Sequence, residues 1–354
     1  MKVEWREFLS NNGAEFDDCD RVKTFGNPER EVRAALSGNV FADLSHLGMI
    51  EVHGKDAESF LQGQFSNDVR QLSNACSQLN GYCNPKGRLI ASFRIFRRGD
   101  AYYLCLPMEM IEPLLKRLRM FILRADVTLE DISDAWMRVG LAGPDAVAEL
   151  ESAIGEAVPQ AVDSVLEREA FSIIRVPGTR PRFEIFATLD AAAKIWSALN
   201  VRGAPVGAPV WQLLDILAGV PTIAPKTSEL FVPQMVNMQL LGGVSFKKGC
   251  YPGQEVVARM QYLGKLKRRM YLVQIHSNSR PEPGEEIFSS ADPEQSVGRI
   301  VSAQAHPDGG YRALAVIQLS AAADELFLGR STDARIELLE LPYAFEHGEE
   351  TGER

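Results

Sequence analysis

Residues 246–255 read FKKGCYPGQE. A single cysteine, Cys250, stands behind Lys247 and Lys248 and ahead of Pro252 and Gly253. A thiol reacts as its thiolate, and neighbouring cations or a helix N-terminus lower its pKa from ~8.5 toward ~3.5–7.5. The stretch supplies both candidates. Lys248 is the nearer activating cation, and proline ahead of QEVVARM favours a helix's first turn, which would put Cys250 at or just before a helix N-terminus. Gly249 and Gly253 let the backbone bend and approach a ligand. The bland alternative is a buried, inert cysteine, the usual fate of a free thiol. One cysteine cannot close a metal site, so no metal ligands are read here, and a cluster held at Cys250 would need a partner's ligands.

Working outward, the chain has 354 residues, 45% hydrophobic and 24% charged, with net charge -9. That length accommodates two or three domains. The negative balance argues against a broad nucleic-acid footprint, which needs a basic surface. The densest basic run, KLKRRM with Lys265, Lys267, Arg268 and Arg269, reads as the charged face of a linker rather than an RNA contact. The opening residues carry no apolar signal region and no run reaches the ~18 apolar residues of a spanning helix, so the expected location is the cytoplasm, with no membrane partner. Five cysteines without a C-x-x-C pair read as thiols in a reducing compartment.

The first 35 residues read as a polar leader with one helix. FADLSHLGMIEVHG then alternates like a half-buried strand. Turn signals at Asn84-Pro85-Lys86-Gly87 and Arg98-Gly99-Asp100 mark hairpins. MEMIEPLLKRLRMFIL is an amphipathic helix with Pro113 in its first turn. A strand, helix, hairpin, helix order follows again, which points to two related α+β subdomains. APVWQLLDILAG is a helix ending at Gly219. Beyond Met270, short strands separated by PEPG, ADPEQ and HPDGG have the texture of a β-barrel. HGEETGER is a charged tail expected to fray.

At this point the residues carry a resemblance. VPQMVNMQLLGGVSFKKGCYPGQEVVARM closely resembles the YgfZ family of folate-binding proteins, relatives of the glycine-cleavage T protein. The family signature Lys-Gly-Cys-Tyr-x-Gly-Gln-Glu falls without mismatch on Lys248, Gly249, Cys250, Tyr251, Gly253, Gln254 and Glu255. FADLSHLGMIEVHGKDAESFLQGQFSNDV is similar to an N-terminal block shared with the T protein, and NPKGRLIASFRIF and IELLELPYAF resemble further YgfZ blocks. The resemblance implies an α+β fold of three domains in a ring, two ferredoxin-like lobes and a C-terminal β-barrel, with folate (tetrahydrofolate or a derivative) in the central channel. The corresponding boundaries are 1–35 for the leader, 36–264 for the folate-binding region with a split near 135, 265–344 for the barrel and 345–354 for the tail. It also implies support of iron-sulfur proteins, radical-SAM enzymes that modify tRNA among them, so that any link to tRNA is indirect.

The T protein places two aspartates and a glutamate where this chain has Ala91, Ser92 and Leu217. Neither Ala91 nor Ser92 can act as a general acid or base at neutral pH, and the glutamate that Leu217 replaces is one that helps grip the pterin, so a folate-dependent aminomethyl or one-carbon transferase is the alternative reading, not the first. For the folate, Trp211 matches a folate-contacting position of the family, and Asp215 follows four residues later on the same helix face. Trp211 can equally be core, since it sits among Leu213, Leu214 and Ile216. Leu47 replaces an aromatic of the family's N-terminal block. Tyr251, Gln254 and Glu255 would shape the site by hydrogen bonding. Lys247, Lys248 and Arg259 are the cations for the folate's glutamate tail, or else solvated surface charges.

Overall fold

The alternation over 40–53 resolves into two strands, Val40–Asp43 and Leu47–His53, which belong to different sheets. The break between them needs neither glycine nor proline. Asp43 is buried and turns its carboxylate onto the Ser45 N–H (3.1 Å) and hydroxyl (2.8 Å), closing an Asx-type turn. The Trp5 indole N–H donates to the same carboxylate at 2.7 Å. Burial pushes the Asp43 pKa up, against those hydrogen bonds and the Arg138 charge, which lower it.

The computed structural model describes residues 1–330 and 333–345; the expected fraying of HGEETGER lies outside the described residues. The chain divides into two units. The first comprises Met1–Ala57, Leu72–Ser77 and Arg94–Leu214, and the second comprises Glu58–Gln71, Gln78–Phe93 and Asp215–Arg354. No helix among the described residues is long and apolar enough to cross a membrane.

The first unit is organised by a six-stranded sheet in the order Val165–Glu167, Phe171–Val176, Arg182–Ala187, Met137–Ala142, Val40–Asp43, Ala204–Val206. Its neighbours are antiparallel except the last pair, which is parallel. Side chains alternate between faces. Phe41, Val139, Ile173, Phe183 and Ile185 pack with helices Ala146–Ile154 and Leu189–Leu199, while Val40, Ala42, Ile174 and Phe186 pack with Trp211 on the other side. The expected leader is not separate from this core. Helix Val3–Asn11 buries Trp5 and Leu9 completely, and Trp5 meets Trp196 edge-on at 5.8 Å. A second helix, Pro28–Ser37, is capped by the Asn27 side chain, which accepts from the Arg30 N–H.

The second unit carries a closed barrel of six strands, from Arg268–His276 to Arg335–Leu339. Ile275, Ile287, Ile300 and Ile317 pack in one buried cluster. Leu272, Leu314 and Val316 pack in another, with Ile216, Phe231 and Met238. The basic run KLKRRM is not a uniformly solvated linker. Arg269 lies in the first barrel strand, is 2% exposed, and stacks over Phe345 at 4.0 Å. Tyr343 returns past the barrel to donate its hydroxyl to the Gly219 carbonyl at 2.9 Å. Gly219 has φ +68 and follows helix Ala208–Leu217, as the helix-stop pattern predicts.

Candidate functional site

Helix Gln254–Tyr262 begins two residues later than a proline at the first helical position would place it, because Gly253 occupies the cap position at φ +81. Pro252 therefore precedes the helix, and Cys250 lies four residues ahead of Gln254 on an exposed loop. The cap glycine is required twice over. Its left-handed backbone disfavours a Cβ, and a Cβ would stand 2.4 Å from the Asn84 carbonyl oxygen and 2.6 Å from the Gly87 Cα. The Asn84–Gly87 turn is itself rigid: the Asn84 side-chain oxygen accepts from the Lys86 N–H at 2.9 Å and the Arg88 N–H at 3.0 Å. Two turns distant in sequence thus pack backbone to backbone. Gly249 is different, with open space where its Cβ would go.

The other side of the loop is held by Lys248, which is buried while Lys247, Gly249 and Cys250 are exposed. Its ammonium donates to the carbonyls of Phe65 (2.5 Å) and Asn67 (2.8 Å). Burial lowers its pKa from 10.5 to about 8, with the Asp68 charge opposing that shift and Arg70 adding to it. Lys248 is therefore a clamp on the loop, its donors committed to backbone, not a solvent-facing cation. The receiving segment is fixed in turn. The Ser66 hydroxyl donates to the Gly243 carbonyl at 2.7 Å, and the Asn67 amide donates to the Gly242 and Leu79 carbonyls at 2.6 and 3.1 Å.

Tyr251 turns inward, under the Lys248 ammonium at 5.2 Å from its ring centroid. Burial and then the neighbouring Cys83 charge push its pKa up. Cys83 is buried, and burial alone pushes its thiol up to about 12. Gln254 reaches back to the Lys248 carbonyl at 3.4 Å. Glu255 and Arg259 are exposed on one face of the helix. The second unit thus brings together Lys248, Cys250, Tyr251 and Gln254, with Glu255 and Arg259 flanking them.

Trp211 belongs to the first unit and lies in its core, fully buried. Arg182 stacks over the ring at 4.5 Å, and the ring fills the space beside Gly140, where a Cβ would approach it to 2.5 Å. Its indole N–H has no hydrogen-bond partner among the described residues. Asp215, Leu217 and Leu47 are each partly buried. Ala91 is fully buried; the Ser92 hydroxyl donates to the Pro221 carbonyl at 3.2 Å and accepts from the Ile223 N–H at 3.0 Å. The sequence reading missed Phe65, Ser66 and Asn67 as loop anchors. The polar side chains of Ser66 and Asn67 inside QFSND were the available signal.

The GCVT N-terminal domain family matches residues 7–211. The tRNA-modifying protein YgfZ of Colwellia psychrerythraea is 35% identical over 67% of this chain and 72% of its own length. The protein of the same name from Klebsiella pneumoniae is 30% identical over 86% of this chain and 92% of its own length. Among solved structures, the glycine cleavage system aminomethyltransferase T of Bartonella henselae superposes with a TM-score of 0.77 over 97% of both chains at 17% identity, a likeness of fold. With the signature around Cys250 complete, the chain is a member of the YgfZ family of GCVT-domain proteins.

Proposed function

We propose that this protein is a folate-binding accessory factor that supports iron-sulfur proteins, including enzymes that modify tRNA, with Cys250 as its working thiol. The observation that carries the reading is the contrast between two cysteines of one unit. Cys83 is sealed and held as a neutral thiol, while Cys250 is presented to solvent on a loop pinned by Lys248 on one side and Gly253 on the other. A side chain fixed by its supports and open to solvent suits reaction with a group brought by a partner. Exposed apolar side chains nearby on the same helix and its end, Val256, Tyr262 and Leu263, offer a docking surface for a client protein.

The GCVT-like fold makes folate the expected small molecule. On this chain's residues, Glu255 is an exposed carboxylate for a pterin's donor edge, and Lys247 and Arg259 are the cations for its acidic tail. The family's tRNA-modifying name fits an indirect role through a client enzyme, since the chain carries net charge -9. Ala91 and Ser92, buried and committed, supply no acid for one-carbon transfer.

The test is complementation in a strain lacking the protein. Cys250→Ser, folded and expressed at wild-type level, should fail to restore cluster-dependent tRNA modification. Full restoration would end the thiol role. Tetrahydrofolate titration by calorimetry tests the ligand separately, and sustained tetrahydrofolate-dependent methylene transfer by the purified protein would replace the accessory reading with a transferase.

A further inference from the structure

Away from Cys250, the first unit carries a second constellation, on strands Leu47–His53 and Thr128–Asp131. These pair antiparallel with Glu51 opposite Glu130 and His53 opposite Thr128. The side-chain period of 2 puts Glu51 and His53 on one face, and a directly opposed partner shares that face. Ile50 and Val52 point the other way and are fully buried. The result is two carboxylates and an imidazole converging at the outer end of a sheet, their ligand atoms all within 4.8 Å of one another. All three side chains reach solvent.

Two features of this arrangement ask for a cation. Like charges directly opposite in an antiparallel pair are destabilising, and no salt bridge neutralises Glu51 or Glu130 among the described residues. Glu51 is also oriented from behind. Tyr103, its cross-strand neighbour on the other side, donates its hydroxyl to Glu51 Oε1 at 2.6 Å. Tyr103 is only 7% exposed, so the carboxylate is held by a group that is itself fixed, and Oε2 is left for a ligand. Outer hydrogen bonds of this kind orient metal-binding carboxylates.

We propose that Glu51, His53 and Glu130 form a binding site for a divalent transition-metal ion of the zinc class, with Tyr103 as its positioning residue. The donor set selects the metal. Imidazole suits zinc and its neighbours, whereas magnesium and calcium take oxygen ligands. Two carboxylates make the complex electrically neutral. Ligand atoms at about 2.0–2.2 Å from zinc lie about 3.3 Å from one another in a tetrahedron. Closing from 4.8 Å to that spacing needs only rotamer adjustment of the side chains on the rim. The fourth position is left to water.

The test uses the full chain with Cys19 and Cys250 replaced by serine, so that exposed thiols do not compete for the probe. Zn²⁺ titrated by calorimetry should bind at one ion per chain with a dissociation constant near ~1–10 μM, about 7–8 kcal/mol. Co²⁺ should give the visible absorption of a low-symmetry nitrogen-oxygen site. His53→Ala and Glu130→Gln should each weaken zinc at least about tenfold, the loss of ~1.4 kcal/mol or more. Glu130→Gln should also raise the metal-free melting temperature, because it removes the opposed charge; that readout confirms that the variant folds. No saturable binding at ~100 μM zinc, binding undiminished in both variants, or preferential binding of Mg²⁺ or Ca²⁺ would each overturn the assignment.

Discussion

Replacing Gly253 with alanine tests how the Cys250 loop is held. The new Cβ meets backbone on three sides: 2.4 Å to the Asn84 oxygen, 2.6 Å to the Gly87 Cα and 2.7 Å to the Gly87 nitrogen. None of these is the end of a flexible side chain, so the contact cannot be relieved by a rotamer change. The left-handed backbone at φ +81 adds about 1–2 kcal/mol for a residue with a Cβ. Overpacking against fixed atoms adds about 1–3 kcal/mol. The expected loss is therefore ~2–5 kcal/mol in the second unit. Gly249→Ala, four residues away on the same loop, has open space and no positive φ, so its cost should stay within about 0.5 kcal/mol. Guanidinium unfolding followed by far-UV circular dichroism measures both, and the rate at which buried Cys83 becomes reactive reports opening of the same unit. Equal stability of the two variants would refute the claim that the loop is pinned through its cap.

Thiol labelling of the native protein should modify Cys250 at once and Cys83 only at the rate of opening of the second unit, since one is exposed and the other is buried with its pKa near 12. Mass spectrometry of the labelled peptides distinguishes them, and equal rates would contradict the burial. Lys248→Met should destabilise the protein by ~1–3 kcal/mol at neutral pH, because the Phe65 and Asn67 carbonyls lose a donor while the cost of burying an ammonium disappears. The deficit should widen with pH. Folded Lys248 releases its proton near pH 8 and the unfolded residue near 10.5, so between those values the unfolded state holds more protons and the wild type gains stability as pH rises. Urea unfolding of both proteins from pH 7 to 10.5 measures it; a deficit that narrows would reverse the reading.

The turns were the most legible part of the sequence, since Gly and Pro act through their own backbone. Asn84-Pro85-Lys86-Gly87 and the stop at Gly219 fall where the residues put them. What failed depended on side chains reaching far along the chain. The turn between Val40–Asp43 and Leu47–His53 has no breaker residue, because Asp43 makes it with its own carboxylate while bonding Trp5 38 positions away. Trp5 and Leu9 are the only residues that helix Val3–Asn11 buries, too few for a nine-residue pattern to separate from a polar leader. At the candidate site, the motif singles out Cys250 in the sequence, but the setting of Lys248 could not be read there. Its carbonyl partners lie 183 and 181 residues away, and only the fold decides whether a lysine beside a cysteine faces the thiol or the backbone.

Ser92 shows why the distance from a one-carbon transferase is greater than a missing acid. Its hydroxyl is both donor and acceptor, joining the Pro221 carbonyl to the Ile223 N–H in the segment that follows helix Ala208–Leu217. An ionised carboxylate there could accept from Ile223 but not donate to Pro221, and it would stand in a buried position with one lone hydrogen bond. Ala91 beside it is fully enclosed, where an unpaired carboxylate would take up a proton in preference to its charge. The positions at which the resemblance places two acids have thus been absorbed into packing. In the same unit the Cys250 thiol is instead exposed, on a loop whose supports reach from Phe65 to Gly253, so the two buried positions and the exposed one differ in what each can present to solvent.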